Sequence, residues 1–315
     1  MIKTELCDLL GIEYPLLQGG MAWVADAALA AAVSNGGGLG IIGAMNANAE
    51  WLEGQIAIAR ALTNKPFAVN VMLLSPFADE VAKAVIRLKV PIVTTGAGTP
   101  FKYMKEWIEA GIKVLPVVPS VAVAKIVAKR GASAVIAEGG ESGGHIGDLT
   151  TMVLTPQVCD AVSIPVITAG GIADGRGFAA ALMLGASGIQ MGTRFLVARE
   201  CGIHPNYKKR IIQAQDIDTI ATGRRLGHPV RSLKSPFSME YAKLEYDPSI
   251  TSEVLEAKGS GALRLAVVEG DEEKGCFMAG QCAALVHKEQ PAGEIIREVC
   301  QEAELLLRKA NQWIN

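Results

Sequence analysis

The chain has 315 residues, of which half are hydrophobic and a fifth charged, and its formal net charge is −2. A balance this close to neutral argues against nucleic acid or an anionic membrane surface as the main partner. The length allows two ordinary domains, or one barrel-sized domain with an addition.

The six cysteines are scattered, with neither a CxxC pair nor a regular spacing, which predicts reduced thiols in a cytoplasmic protein. Lys3, Glu5 and Asp8 charge the N-terminal segment, so it lacks the apolar region of a signal peptide. The longest uncharged run, 27–49, is interrupted by glycines and asparagines and predicts no membrane span.

Short apolar runs that predict buried strands recur along the chain as far as Met191, and segments with helical periodicity separate them. The strands are predicted at 15–18, 39–42, 67–71, 92–94, 114–117, 134–138, 166–169 and 188–191. The helices between them are predicted at 49–62, 78–88, 99–110, 120–130, 156–162 and 175–184. Several of these helices are followed by a glycine at the expected stop, as at Gly111 and Gly131.

Strand and helix alternating eight times is the pattern of a (β/α)8 TIM barrel, an α/β fold, with a doubly wound open sheet as the main alternative. The barrel is favoured because two glycine-containing loops follow the seventh and eighth strands, where barrels often bind phosphate through backbone N–H groups. The residues of these two loops and their strand ends are Ala169, Gly170 and Gly171, and Gln190, Met191, Gly192 and Thr193.

Residues 38–43 match the GxGxxG fingerprint, which in a dinucleotide-binding fold follows a strand and opens a helix. Here a helical run at 25–34 precedes the motif, and the motif itself contains the predicted strand. We therefore reject a dinucleotide site at this position.

The pattern changes after Arg194 and predicts three parts. Residues 1–198 would form the barrel, 199–274 an inserted smaller lobe over its mouth, and 275–315 a return to the barrel that ends in an amphipathic helix at 292–314. His204 and His228 of the lobe are expected to be surface or structural residues. Its arginines, Arg224, Arg225 and Arg231, are candidates for contact with phosphate groups, with a solvated basic face as the alternative.

A glycine-rich loop, EGGESGGHIG, begins at Glu138, the end of the sixth predicted strand. Glycine lets the backbone approach a ligand closely, and His145 within the loop can exchange a proton near neutral pH. The alternative is a flexible connection whose histidine merely caps a neighbour.

The sequence contains no metal-ligand constellation, Walker loop or Gly-x-Ser-x-Gly elbow. A monophosphate site, a lone histidine and the uncharged amides of Gln18, Asn70 and Gln190 suit flavin mononucleotide (FMN), whose neutral ring the amides would hydrogen-bond. Pyridoxal phosphate is disfavoured because no lysine stands at a predicted strand end to form the Schiff base.

These residues resemble a known family, the flavin-dependent enoyl-acyl-carrier-protein reductases of the FabK type, which share a superfamily with the nitronate monooxygenases. The resemblance covers nearly the whole chain and lies in 18–23 (QGGMAW), 69–72 (VNVM), 138–139 (EG), 141–147 (ESGGHIG), 168–174 (TAGGIAD), 190–195 (QMGTRF), 204–208 (HPNYK) and 277–281 (FMAGQ). The stretches GHIGDLTTM, HPNYK and MAGQ indicate the reductase branch.

The resemblance implies a ping-pong reduction of an enoyl thioester on acyl carrier protein in bacterial fatty acid synthesis, with NADPH or NADH and then the thioester reacting at FMN. His145 is the implied catalytic residue and would assist protonation of the product, while Glu138 would hold ribityl hydroxyls rather than act as a base. The residues implied to bind the cofactor are Gly20, Met21, Ala22, Asn70, Glu138, Gly139, Ser142, Gly144, Ala169, Gly170, Gly171, Gln190, Met191, Gly192 and Thr193.

A homodimer is expected, and the family implies a monovalent cation near the lobe, for which the sequence places no ligands. Two alternatives to the reductase remain: a nitronate monooxygenase, which needs no NAD(P)H, and a catalytically silent flavin- or phosphate-binding protein. The preference between NADPH and NADH and the acyl-chain length stay open.

Overall fold

The computed structural model describes residues 1–45 and 47–313, so the predicted end of the last helix at residue 314 lies outside the described residues. The strands are β1 (Leu16–Gln18), β2 (Gly40–Gly43), β3 (Phe67–Met72), β4 (Ile92–Gly96), β5 (Lys113–Val118), β6 (Val135–Glu138), β7 (Gly144–His145), β8 (Val166–Ala169), β9 (Gly188–Met191), β10 (Thr219–Thr222) and β11 (Val230–Leu233).

The α-helices are α1 (Glu5–Leu10), α2 (Ala27–Asn35), α3 (Ala49–Leu62), α4 (Ala78–Arg87), α5 (Met104–Glu109), α6 (Val121–Lys129), α7 (Thr151–Ala161), α8 (Gly175–Met183), α9 (Pro205–Ile212), α10 (Pro236–Glu245), α11 (Ser252–Gly259), α12 (Ala262–Arg264) and α13 (Ala292–Lys309). No helix in the described part of the chain is long and apolar enough to cross a membrane.

Eight parallel strands form a barrel in the order β1-β9-β8-β6-β5-β4-β3-β2. The ring is completed between β1 and β2, where Leu39 N donates to Leu16 O at 2.9 Å and Gln18 N donates to Leu39 O at 3.0 Å. This closure confirms the predicted (β/α)8 barrel and excludes the open sheet.

The barrel interior is filled by inward-facing aliphatic side chains such as Leu17, Ile41 and Ile136, which form one buried cluster with Leu6 and Leu10 of α1. Since α1 also receives the Lys113 Nζ at its Leu9 carbonyl (2.6 Å), it closes the end of the barrel where the strands begin. The opposite end, where the strands finish, stays open as the mouth.

A smaller sheet of order β10-β11-β7 stands beside the mouth, and its strands are antiparallel. The helices that follow it share a small core of Phe237, Tyr241, Leu255, Ala262 and Cys276. Strand β7 comes from the loop after β6, so this sheet combines a barrel loop with the predicted lobe. The boundaries at 198/199 and 274/275 stay a prediction.

Two predicted helices differ from the observed ones. The helix predicted at 99–110 is broken at Tyr103 into a 3₁₀ turn, Pro100–Lys102, and α5. Helix α7 begins at Thr151 rather than at Pro156, because the Glu141 carboxylate accepts hydrogen bonds from Thr151 N at 2.9 and 3.0 Å and starts the helix five residues earlier.

Candidate active site

The loops at the barrel mouth bring most of the predicted cofactor residues together, because all eight strands end there. Gly19 N donates to Met191 O at 2.9 Å, which joins the ends of β1 and β9. Gly139 N donates to Ala169 O at 2.9 Å and joins β6 to β8. The Met21 side chain reaches across to Gly192, where an added Cβ would lie 3.5 Å from its Sδ.

Asn70 lies under Gly20 at the top of the barrel interior. A Cβ on Gly20 would stand 2.4 Å from the Asn70 Cβ, so only glycine fits above this amide. Asn70 Nδ2 donates to Thr94 Oγ1 at 2.9 Å, but its buried Oδ1 has no hydrogen-bond partner among the described residues. A buried acceptor without a partner costs free energy, and a donor from a bound ligand would relieve it.

The glycine pair after β8 turns the chain in a conformation that favours glycine at both positions. Gly170 and Gly171 have φ of +95° and +74°, in the left-handed region that favours glycine. A Cβ on Gly170 would lie 2.8 Å from Gly139 O, so a side chain there would collide with the neighbouring loop. In the loop after β9, the Thr193 hydroxyl is already engaged within the protein, because its Oγ1 accepts a hydrogen bond from Gly280 N at 2.9 Å.

Glu138 ends β6 as a half-buried carboxyl that faces the mouth. Burial raises its pKa to about 7, and the hydrogen bond that Ser142 Oγ donates to Oε1 at 3.0 Å lowers it only in part. The pKa of Glu138 is therefore raised by desolvation, with no charged partner as a cause.

His145 lies on β7, held by the lobe rather than by the barrel. It pairs with Val230 of β11, and Ile146 N donates to Pro229 O at 3.0 Å. The side chain is exposed at the mouth, yet the surrounding protein desolvates it and, with the neighbouring His228, lowers its pKa. The prediction of His228 as a merely structural residue missed this proximity.

The segment 278–281 locks the histidine loop to the loop after β9. Gly280 N is bound to Thr193 Oγ1, and Gln281 N donates to Glu141 O at 2.9 Å. A Cβ on Gly143 would lie 2.6 Å from the Ala279 carbonyl carbon, so the two loops pack backbone against backbone. The MAGQ motif signalled this segment but not its contacts.

The lobe arginines have separate roles. Arg225 donates to the carbonyls of Asp247 at 3.1 Å and Ile250 at 2.6 Å, and so closes the end of α10. Arg231 donates to Gly140 O, while Arg224 is exposed at 3.5 Å from Asp148. Arg224 and Arg225 are both exposed, but among the described residues Arg224 is the one of the three whose guanidinium donates to no backbone carbonyl.

The role predicted for the Gln18 amide is not supported. Its Oε1 accepts from Ile41 N at 3.1 Å and its Nε2 donates to Ile41 O at 3.2 Å, so it acts like a peptide group that extends the β1–β2 ladder. Gln190, also buried, lies against Gly19, where an added Cβ would be 3.6 Å from its amide carbon. His204 has the expected structural role, since its Nδ1 accepts from Asn206 N at 3.2 Å and caps α9.

The barrel and its glycine-lined mouth define an enzyme of the nitronate-monooxygenase-like oxidoreductases. The family model described as nitronate monooxygenase matches residues 3–88 and 75–302, and the chain belongs to this family. The resemblance identified in the sequence is confirmed at this level.

Solved and curated relatives narrow the similarity. The structure of FabK from Thermotoga maritima is 49% identical with a TM-score of 0.97, and the match covers 100% of both chains. A probable nitronate monooxygenase of Staphylococcus aureus is 32% identical over 97% of this chain and 99% of its own. The (3aS,4S,5R,7aS)-5-hydroxy-7a-methyl-1-oxo-octahydro-1H-indene-4-carboxyl-CoA dehydrogenase of Mycobacterium tuberculosis is 40% identical over 74% of this chain and 67% of its own.

Proposed function

We propose that this protein is an FMN-dependent enoyl-[acyl-carrier-protein] reductase of bacterial type II fatty acid synthesis. The net reaction converts an enoyl thioester, NAD(P)H and one proton into the saturated thioester and NAD(P)+. The observation that carries the proposal is the likeness to Thermotoga maritima FabK over the whole of both chains. The Mycobacterium tuberculosis relative, named as a dehydrogenase of a carboxyl-CoA compound, supports a thioester substrate.

The residues at the mouth fit FMN. Gly170 and Gly171 offer backbone N–H groups to a monophosphate, and Asn70 Oδ1 offers a buried acceptor that lacks a partner among the described residues. Glu138, with its raised pKa, is proposed to hold ribityl hydroxyls as the sequence analysis expected. Bound FMN supplies the hydride chemistry that joins the two substrates.

His145 is proposed to deliver the proton that saturates the alkene. It stands at the mouth on a short strand whose backbone pairs with β11, and its exposed side chain is open to a substrate. An imidazole exchanges protons near neutral pH, and a positioned general acid accelerates such a step about 10²–10⁴-fold. Backbone N–H groups of the adjoining glycine loop are proposed to stabilise charge on the thioester oxygen.

The wider proposal keeps NADPH or NADH as the co-substrate and acyl carrier protein as the carrier of the thioester. A homodimer, a monovalent cation near the lobe and a cytoplasmic location belong to the same proposal. Arg224 is the guanidinium we assign to the phosphates of the nucleotide or the carrier, because it is exposed and, within the described part of the chain, donates to no backbone carbonyl.

A nitronate monooxygenase is the second candidate. The family model and the Staphylococcus aureus relative, which matches nearly the whole chain, favour it. Such an enzyme would use the same cofactor site and the same histidine but would not need NAD(P)H.

Anaerobic stopped-flow spectroscopy of the FMN-loaded protein separates these functions. NADPH or NADH is added first and crotonyl-CoA second, while the visible absorbance of the flavin is followed. Rapid bleaching by a nucleotide and recovery on adding crotonyl-CoA are expected. Bleaching without recovery would exclude this thioester as the acceptor, and the absence of bleaching by either nucleotide would favour nitronate oxidation.

A further inference from the structure

Charged residues are distributed unevenly around the barrel mouth. The four loops that follow β1 to β4, at 19–26, 44–48, 73–77 and 97–99, contain a single charged residue, Asp26, whose carboxylate caps α2 by accepting from Leu29 N at 2.9 Å. The loop after β6 carries Glu141, His145 and Asp148, and the lobe beside it carries Arg224 and Arg231. The mouth therefore has a charged half and a half whose one charged side chain serves as a helix cap, which we call the uncharged half.

Trp23 projects from the uncharged half in a strained conformation. Its φ is +64°, and among the described residues only Lys89 and Ala97 share a positive φ without being glycine. Nearly half of its surface, 49%, is exposed. A bulky residue in the left-handed region is a rare outlier that costs free energy, and exposing a large indole to water adds to that cost.

The turn that carries Trp23 is fixed on both sides. Ala25 N donates to Met21 O at 2.9 Å, Gly43 N donates to Ala25 O at 2.8 Å, and Val24 and Ala25 are buried. The neighbours thus hold the backbone of this turn, although the Trp23 side chain itself is half-exposed. Strain that is maintained in this way occurs mainly at ligand-binding sites.

Other apolar side chains are exposed on the same half of the rim. Leu74 and Phe77 of the loop after β3 are 57% and 38% exposed. The contact of Gly20 with Asn70 brings the ends of β1 and β3 together, so both loops border the same opening. Exposed apolar groups grouped at an opening mark a surface for an apolar ligand.

We propose that Trp23 is a specificity residue whose indole forms a wall for the acyl chain of the thioester substrate. This inference rests on the proposed function. A nucleotide carries phosphates and suits the charged half of the mouth, whereas a hydrocarbon chain suits the uncharged half, where the single carboxylate is used as a helix cap. An indole offers a large rigid apolar face, and its contact with the chain grows with each methylene.

The test uses Trp23→Gly, in which glycine accepts the positive φ without strain, and Trp23→Phe, which keeps an aromatic face. Ile58→Ala is the matched control, because Ile58 is 48% exposed in the second half of α3, which runs away from the mouth. We expect Trp23→Gly to lower kcat/KM for trans-2-dodecenoyl-CoA about tenfold or more and for crotonyl-CoA less than about threefold. The rate of reduction by NAD(P)H and the Tm should not fall, and Trp23→Phe should be intermediate.

Calorimetric binding of dodecanoyl-CoA gives a readout that is independent of turnover. We expect about tenfold weaker binding in Trp23→Gly and unchanged binding in Ile58→Ala. Equal losses on both chain lengths, or a loss confined to the nucleotide half-reaction, would overturn the proposal. If the wild-type protein reduced no enoyl thioester, the proposed function would fail. The calorimetric result would still test the acyl-chain wall by itself. Weaker dodecanoyl-CoA binding by Trp23→Gly than by the wild-type protein would support the wall, and equal binding would reject it.

Discussion

The Arg231 guanidinium donates twice to the Gly140 carbonyl, from Nε at 3.2 Å and from Nη2 at 3.1 Å, and its Nη1 donates to Thr219 Oγ1 at 3.1 Å. Arg231 lies on β11 of the lobe, whereas Gly140 belongs to the loop after β6. Together with the pairing of Val230 and His145, this contact fixes the histidine loop to the lobe. The lobe therefore positions a residue that the barrel sequence supplies.

Replacing Arg231 by Gln should slow the half-reaction that depends on His145. Two hydrogen bonds from a charged donor are lost, each worth about 1.5–3 kcal/mol, so the loop is held less firmly. We expect the rate of flavin reoxidation by crotonyl-CoA to fall about tenfold or more, and reduction by NAD(P)H to change much less.

Arg225→Gln is the control, because the Arg225 guanidinium also donates to backbone carbonyls, but to those of Asp247 and Ile250 in the lobe rather than to this loop. It should lower the Tm without a selective effect on reoxidation. Equal effects of the two variants on both half-reactions would show that Arg231 is only a structural residue.

Gly20→Ala should damage both folding and cofactor binding. The new methyl group would stand 2.4 Å from the Asn70 Cβ, and this overpacking costs about 1–3 kcal/mol. The variant should lose bound flavin absorbance after gel filtration and unfold at a lower temperature. Gly54→Ala, where no heavy atom lies within 4 Å in the middle of α3, should instead gain about 0.5–1 kcal/mol and keep the flavin.

The sequence predicted what depends on local pattern. The buried runs around Ile41, Val69 and Ile167 located their strands to within one or two residues, because burial on both faces leaves a continuous apolar signal. Features that depend on distant partners were missed. Strand β7 exists only because Val230, far along the chain, pairs with His145.

The same physical reason explains two wrong details of the site. The amide of Gln18 looks like a ligand group in the sequence, but Ile41 on the neighbouring strand uses both its ends. The start of α7 depends on the Glu141 carboxylate, which reaches Thr151 across the loop, whereas the local signal of Pro156 suggested a later start. Both contacts join residues that are well separated in the sequence, so no local sequence pattern predicts them.

Glu138→Gln should stabilise the cofactor-free protein at pH 8 but not at pH 4.5. Burial raises the folded-state pKa of Glu138 to about 7, above its ordinary value of 4.5, so the folded protein binds the proton more tightly than the unfolded chain does. The Glu138 carboxyl therefore destabilises the fold increasingly as the pH rises from 4.5 to about 7, and the destabilisation reaches its full size above about 7. The expected gain at pH 8 is on the order of 2 kcal/mol, a rise of a few degrees in Tm.

Thermal unfolding of both proteins across this pH range measures the effect. Ser142→Ala serves as a second variant, because it removes the hydrogen bond that favours the ionised Glu138 carboxylate. The Tm of this variant should depend on pH more steeply than that of the wild-type protein. A Glu138→Gln gain that is the same at both pH values would contradict the raised pKa.

His228→Gln should raise the pKa of His145. His145 pairs with Val230, and His228, which precedes β11 by two residues, is close enough to oppose a positive charge on His145 and so to lower its pKa. Desolvation lowers the pKa of His145 first, and His228 adds repulsion between two positive charges, so removing His228 leaves only the larger cause.

The sign of the consequences follows from which form carries the proton. Because the pKa of His145 is lower in the folded protein than in the unfolded chain, protonation of His145 favours the unfolded chain. The stability that the neutral imidazole contributes is fully present above the unfolded-state pKa of about 6.5, and it is lost as the pH falls through the lower pKa of the folded state. For catalysis, a proton donor must be an imidazolium, so activity falls above the pKa. The alkaline limb of flavin reoxidation by crotonyl-CoA should therefore move to higher pH in His228→Gln.

NMR titration of the histidine Cε1 protons and pH profiles of reoxidation test this together. His204→Gln is the matched control: it removes the cap of α9 and should reduce the Tm while leaving the His145 titration in place. An alkaline limb that stays fixed while the His145 titration moves would mean that His145 is not the proton donor. A His145 titration unchanged in His228→Gln would mean that the two rings do not interact.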